Sequence, residues 1–156
     1  MVPVFIDGDA VLWESNTICR YLANRHVRDD LLPRGALARA RVEQWMDWQG
    51  GDMNNAWRYS YMNLVGQCPA HPDPQPVAAS VASWNRHMAI LDAQLEKSGD
   101  LVTGPTFTLA DVALGLSVNR WFMTPIDRPE LPRVTAYHDR LATREGFRTH
   151  GRNGHP

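Results

Sequence analysis

Cysteine, lysine, long apolar runs and any marked excess of one charge are all scarce in this chain of 156 residues. Cys19 and Cys68 are its two cysteines, too few for a disulfide framework, so a reducing compartment, the cytoplasm, is expected. No apolar run approaches the ~20 residues of a membrane span, and the N-terminus lacks the basic-then-apolar order of a signal peptide, so no membrane partner is expected. A net charge of −1 with a pI near 6.6 leaves no electrostatic footprint for nucleic acid. The six histidines show no close ligand spacing, and no metal site is expected. What is present is a composition 44% apolar and 21% charged. That suits one compact unit burying roughly two thirds of its unfolded surface.

The first 26 residues carry most of the information. Val2-Pro3-Val4-Phe5-Ile6 leads into Asp7-Gly8-Asp9 and then Ala10-Val11-Leu12-Trp13, and Asp-Gly between two apolar runs predicts a hairpin. Glu14-Ser15-Asn16 opens a helix with Ser15 as its expected N-cap, and Ile18, Tyr21 and Leu22 share one helical face. Val4, Phe5 and Ile6 make the first strand apolar on both faces, which calls for cover on both sides. A hairpin and one helix cannot supply that, so a further segment ahead of Met1 is expected.

Beyond residue 26 the pattern is helical. A polar connection carrying Leu31-Leu32-Pro33 reads as a junction. From Ala36, Val42, Trp45, Met46, Met53, Trp57, Leu64 and Val65 recur at three- and four-residue steps, with Gln49 the polar exception. Gly50-Gly51 interrupts this helix at about 1 kcal/mol per glycine, which predicts a bend or weak point. Four prolines between Cys68 and Pro76 make a loop. Val77, Val81, Trp84, Met88, Leu91 and Leu95 then form one narrow apolar seam. Thr108-Leu109-Ala110-Asp111 resembles a capping box with Asp in place of Glu, and Phe107 and Val112 have hydrophobic-staple spacing. Val134, Tyr137 and Leu141 mark a short last helix, and residues 150–156 are expected to fray.

VPVFIDGDAVLWESNTICRYLANRH resembles the second half of the thioredoxin-like domain of a glutathione S-transferase. FTLADVALGLSV at 107–118 is similar to a segment of that family's helical domain, and EQWMDW with NNAWR at 43–58 resembles the bacterial cytosolic members. The resemblance implies a mainly α fold: a remnant of a thioredoxin-like α/β domain, hairpin plus helix, followed by an all-α C-terminal domain of about five helices. It implies residues 1–26 as a partial glutathione-binding domain, 27–35 as a linker, 36–149 as the helical domain and 150–156 as a tail. The implied activity is transfer of glutathione thiolate to a small hydrophobic electrophile, with glutathione as co-substrate, no metal, and a homodimer as the usual assembly.

Site residues follow from the same resemblance, each beside a plainer reading. Val2 and Pro3 match a cis bond presenting the Val2 backbone to the ligand as an added strand, although a proline at a strand start is common in any sheet. Glu14 and Ser15 match the γ-glutamyl site, Ser15 with the helix N-terminus for the carboxylate and Glu14 for the ammonium group; an acidic residue before an N-cap is ordinary too. Trp57, Arg58 and Tyr61 form an aromatic group with one cation, suited to an electrophile whose leaving group departs as an anion. Arg120, Trp121 and Phe122 form a second such group. For both, core aromatics beside a surface arginine are an equal reading. Asp111 reads as a structural cap and not a catalytic acid, and Cys19, one turn inside its helix, as a small buried residue. The family's thiol-activating Ser, Tyr or Cys sits in a βαβ unit with no counterpart here, so the catalytic residue is unknown and the activity of the chain is in doubt. A non-catalytic helical binding or dimerisation module is the alternative.

Overall fold

The computed structural model describes residues 3–155. Strands β1 (Val4–Asp7) and β2 (Ala10–Trp13) pair antiparallel, Val4 opposite Trp13 and Asp7 opposite Ala10. Their two-residue turn centres on Gly8-Asp9, with Gly8 at φ 60, a left-handed conformation that glycine adopts without a Cβ clash. Alternation turns Phe5 and Leu12 toward helix α1 (Ser15–Arg25), where the Phe5 and Tyr21 rings lie 6.2 Å apart. Val4, Ile6, Val11 and Trp13 share the other face and are exposed. The two-sided cover expected from the pattern is therefore present on one side only among the described residues. Asp7 fixes the hairpin to α1 by accepting from the Tyr21 hydroxyl at 2.6 Å and pairing with Arg25 at 2.9 Å.

Helices α2 (Ala36–Trp48) and α3 (Asn54–Leu64) form one rod, joined by a π-helical turn, Gln49–Met53. The weak point expected at Gly50-Gly51 is this turn: the helix widens there and does not break. A Cβ on Gly50 would sit 3.4 Å from Asn16 Nδ2 of α1. That amide donates to the Met46 carbonyl at 2.8 Å. Arg20 of α1 also pairs with Glu43 and Asp47 of α2.

Helix α4 (Val77–Ser98) presents Trp84, Met88, Leu91 and Leu95 to the core, all buried. Full burial of such side chains is worth about 1.5–3 kcal/mol each. Helix α5 (Leu109–Met123) runs through the centre, flanked by α6 (Pro132–Leu141) and α7 (Glu145–His150). The junction is buried at Leu32, and the Leu31 carbonyl accepts the Leu109 N–H at 3.0 Å, which ties the connection to the start of α5. The capping role of Asp111 holds: one oxygen accepts the Thr108 N–H at 2.8 Å and the other the Val102 N–H at 3.1 Å.

Two local expectations are corrected. Ser15 is the first residue of α1, and Glu14 occupies the N-cap position. The helix expected to be the last, α6, is followed by a further one, α7. Helix α7 continues to His150, Arg152 pairs with Asp139 at 2.7 Å, and Asn119 Nδ2 donates to the His155 carbonyl at 3.0 Å. These polar contacts were not visible from the sequence, because Asp139 lies on α6 and Asn119 on α5, whereas Arg152 and His155 follow α7.

Candidate functional site

Glu14 has φ 70 and ψ 116, a sparsely populated conformation for a residue with a Cβ, and such strain concentrates at functional sites. The bend ends β2 and aims the first turn of α1 at the rod. The Glu14 carbonyl accepts the first helical bond, from Ile18 at 2.9 Å. The N–H groups ahead of it have no place in the helical ladder and point out of the helix end. Ser15 and Asn16 of this turn line a cleft of about 330 Å³, closed by the π-turn on one side and by Leu109, Val112, Ser117 and Arg120 of α5 on the other.

The cleft wall is a connected polar network under an aromatic ring. Gln49 Nε2 donates to Ser117 Oγ at 2.9 Å and to Asn54 Oδ1 at 3.2 Å, and the Trp57 indole N–H donates to the same Asn54 oxygen at 3.0 Å. Residues five apart diverge in an α-helix, but a π-turn brings i and i+5 onto one face, and this is why Gln49 and Asn54 meet. The Arg120 guanidinium reaches across from α5 to lie 4.4 Å from the Trp57 ring centre and 5.2 Å from that of Tyr61. Its Nε is buried without a hydrogen-bond partner.

The structure thus brings Ser15 and Trp57 to one cleft, with Tyr61 edge-on to Trp57 at 5.3 Å. Arg58 is exposed and does not line it; the cation over Trp57 and Tyr61 is Arg120. Glu14 is exposed at the rim, and Pro3 is exposed ahead of β1. The Val2 position, and with it the Val2–Pro3 bond, lies outside the described residues. Arg120 parts company with its sequence neighbours. Trp121 is buried and donates to Asn85 Oδ1 at 2.8 Å, and Phe122 stacks on His138 at 4.7 Å. Cys19 lines the cleft with its thiol pKa raised, chiefly by burial, which favours the neutral thiol over a nucleophilic thiolate.

Gln49, Asn54 and Ser117 were not visible as a group in the sequence. The one signal was Gln49 as a polar break in an apolar series. Among the described residues no group of three His, Cys, Asp or Glu side chains is placed to hold a metal ion, and no helix is long and apolar enough to cross a membrane. The arrangement can bind an anion at a helix end and a small, partly aromatic molecule beside it, next to one cation.

Residues 1–24 match the family model described as glutathione S-transferase, N-terminal domain. The chain is 31% identical over 150 residues to glutathione S-transferase GstB of Escherichia coli strain K12, covering 95% of this chain and 72% of GstB. It is 27% identical over 155 residues to glutathione S-transferase F10 of Arabidopsis thaliana, covering 94% of this chain and 71% of that protein. Among solved structures it superposes, with a TM-score of 0.87 and 33% identity, on a theta class glutathione S-transferase of Xanthomonas axonopodis pv. citri with glutathione bound. That match covers 96% of this chain and 77% of the other.

Proposed function

The chain belongs to the glutathione S-transferase family, and from that premise we propose that it binds glutathione at the N-terminal turn of α1 and a small electrophile in the adjoining cleft. Residues 1–26 serve as the glutathione-binding part, 27–35 as linker and 36–149 as the helical domain that supplies the electrophile pocket. In the transfer the glutathione sulfur forms a bond to the electrophilic carbon. The leaving group departs with the electron pair of its broken bond, and the thiol proton passes to solvent.

The observation that carries this reading is that Ser15, on a free helix end, and Trp57, on the rod, open onto one cleft. The N–H groups of the first turn, the helix dipole and the Ser15 hydroxyl suit the γ-glutamyl carboxylate. Glu14 at the rim suits its ammonium group, and the Val2-Pro3 backbone the cysteinyl part. Trp57 lines the part of the cleft given to the electrophile, and Tyr61 backs it edge-on. The thiol-activating residue is unassigned.

Calorimetry with S-methylglutathione tests the binding half, and a conjugation assay with a chloronitrobenzene tests the transfer half. Ser15→Ala is expected to weaken S-methylglutathione binding, because it removes a donor to a charged group worth roughly 1.5–3 kcal/mol. Unchanged affinity in that variant would sink the assignment of Ser15. Binding without turnover would favour the non-catalytic module.

A further inference from the structure

We infer that the cleft selects electrophiles carrying a carboxylate, with Arg120 as the residue that recognises it; this rests on the proposed glutathione site at α1. Arg120 is the single charged residue among those lining the cleft, whose other polar groups come from Ser15, Asn16, Gln49, Asn54 and Ser117. Ionised arginine on a protein usually finds a carboxylate. Nine ion pairs occur among the described residues and none includes Arg120. Its Nε is removed from water and has no hydrogen-bond partner, a cost that a native structure rarely leaves uncompensated.

The Arg120 guanidinium carbon lies 4.4 Å from the Trp57 ring centre and 5.2 Å from that of Tyr61, in the corner that the two near-perpendicular rings make. These contacts hold the cation in place and, with Nε buried, leave the edge formed by its terminal N–H groups for a ligand. A planar carboxylate is the partner that the edge matches in two parallel hydrogen bonds. Trp57 is itself pinned, because its indole N–H is spent on Asn54, and Asn54 is held by Gln49. The cation is therefore presented on a fixed platform. A volume of about 330 Å³ is enough for a benzoate-sized molecule.

The substrate class is a small halide carrying a carboxylate on its aryl or alkyl body. Its carbon–halogen bond breaks with the electron pair leaving on the halide as the glutathione sulfur bonds to carbon and the thiol proton goes to water. Arg120 holds the carboxylate, which does not react.

Calorimetry with 4-nitrobenzoate and 4-nitrobenzamide, two probes of the same shape and different charge, tests this on the whole chain. The wild-type chain should bind the carboxylate on the order of tenfold more tightly than the amide. Arg120→Gln should reduce that preference to within about twofold, and Arg120→Lys, which keeps a charge without the planar fork, should retain part of it. Equal binding of the two probes by the wild-type chain, or binding of neither, overturns the proposal, as does a preference that survives Arg120→Gln. The wild-type comparison can overturn it whatever the variants do to folding. If S-methylglutathione fails to bind while the carboxylate preference holds, the glutathione site at α1 is wrong and the role of Arg120 stands.

Discussion

The Tyr137 hydroxyl of α6 donates to Asp111 Oδ1 of α5 at 3.1 Å, and both groups are buried. The same carboxylate accepts from Val102 and Thr108, so one side chain joins the start of α5, the loop before it and α6. Burial still raises the Asp111 pKa against the lowering by these bonds, and raises that of Tyr137 well above its ordinary value. Asp111→Ala is expected to destabilise the chain by roughly 2–4 kcal/mol, since it strands four buried donors, the N–H groups of Val102 and Thr108 and the hydroxyls of Thr108 and Tyr137. Tyr137→Phe removes one and should cost about 1 kcal/mol. Urea denaturation followed by tryptophan fluorescence measures both, and near-equal costs would contradict the shared network.

His138 sits between Phe122, stacked at 4.7 Å, and the edge of Phe147 at 5.7 Å, with Nε2 and Asn119 Oδ1 3.2 Å apart. Burial first, and then the charge of Arg152, bring its pKa down from 6.5 to about 4, with Asp139 opposing. In the unfolded chain the imidazole takes up its proton below about pH 6.5, whereas the folded chain resists down to about pH 4. The unfolded state therefore binds more protons across that window. This contribution to stability is fully present above pH 6.5 and is lost as the pH falls toward 4. The urea midpoint of the wild type should drop over that range more steeply than that of His138→Gln; parallel profiles would show that another group is responsible.

Gly51 has no atom within 4 Å of where a Cβ would sit, whereas at Gly50 that Cβ would meet Asn16. Neither has a positive φ, so both accept a side chain without backbone strain. Gly51→Ala should stabilise the rod by up to about 1 kcal/mol through helix propensity. Gly50→Ala should gain less, because the new methyl touches the amide that α1 uses to reach Met46. Thermal melts of the two variants give the order, and a larger gain at Gly50 would contradict it.

The exposed face formed by Val4, Ile6, Val11 and Trp13 is apolar and carries no charge, the kind of strand surface that pairs or aggregates. Self-association at high micromolar concentration is expected, weakened by Ile6→Lys at the centre of that face. Sedimentation velocity checks it: a monodisperse monomer, or an assembly unaffected by Ile6→Lys, excludes this face as the contact.

The sequence by itself determined the element order, because each determinant is local. The turn at Gly8, the seam of α4, the Thr108–Asp111 cap and the prolines after Cys68 all act over a few residues. It also marked Glu14, Ser15 and Trp57 as site candidates, through the family resemblance that its motifs carry. Only the tertiary structure decided which of them share a cleft. Arg58 and Arg120 are indistinguishable as basic residues beside aromatics, and the packing of α5 across the rod put Arg120 over Trp57 and left Arg58 in solvent. The Gln49–Asn54 pair was hidden for a different reason. It depends on a π-turn, whose five-residue register no α-helical periodicity reveals. The strained φ of Glu14 was equally hidden, since it is imposed by closing a strand onto a helix and not by any preference of glutamate.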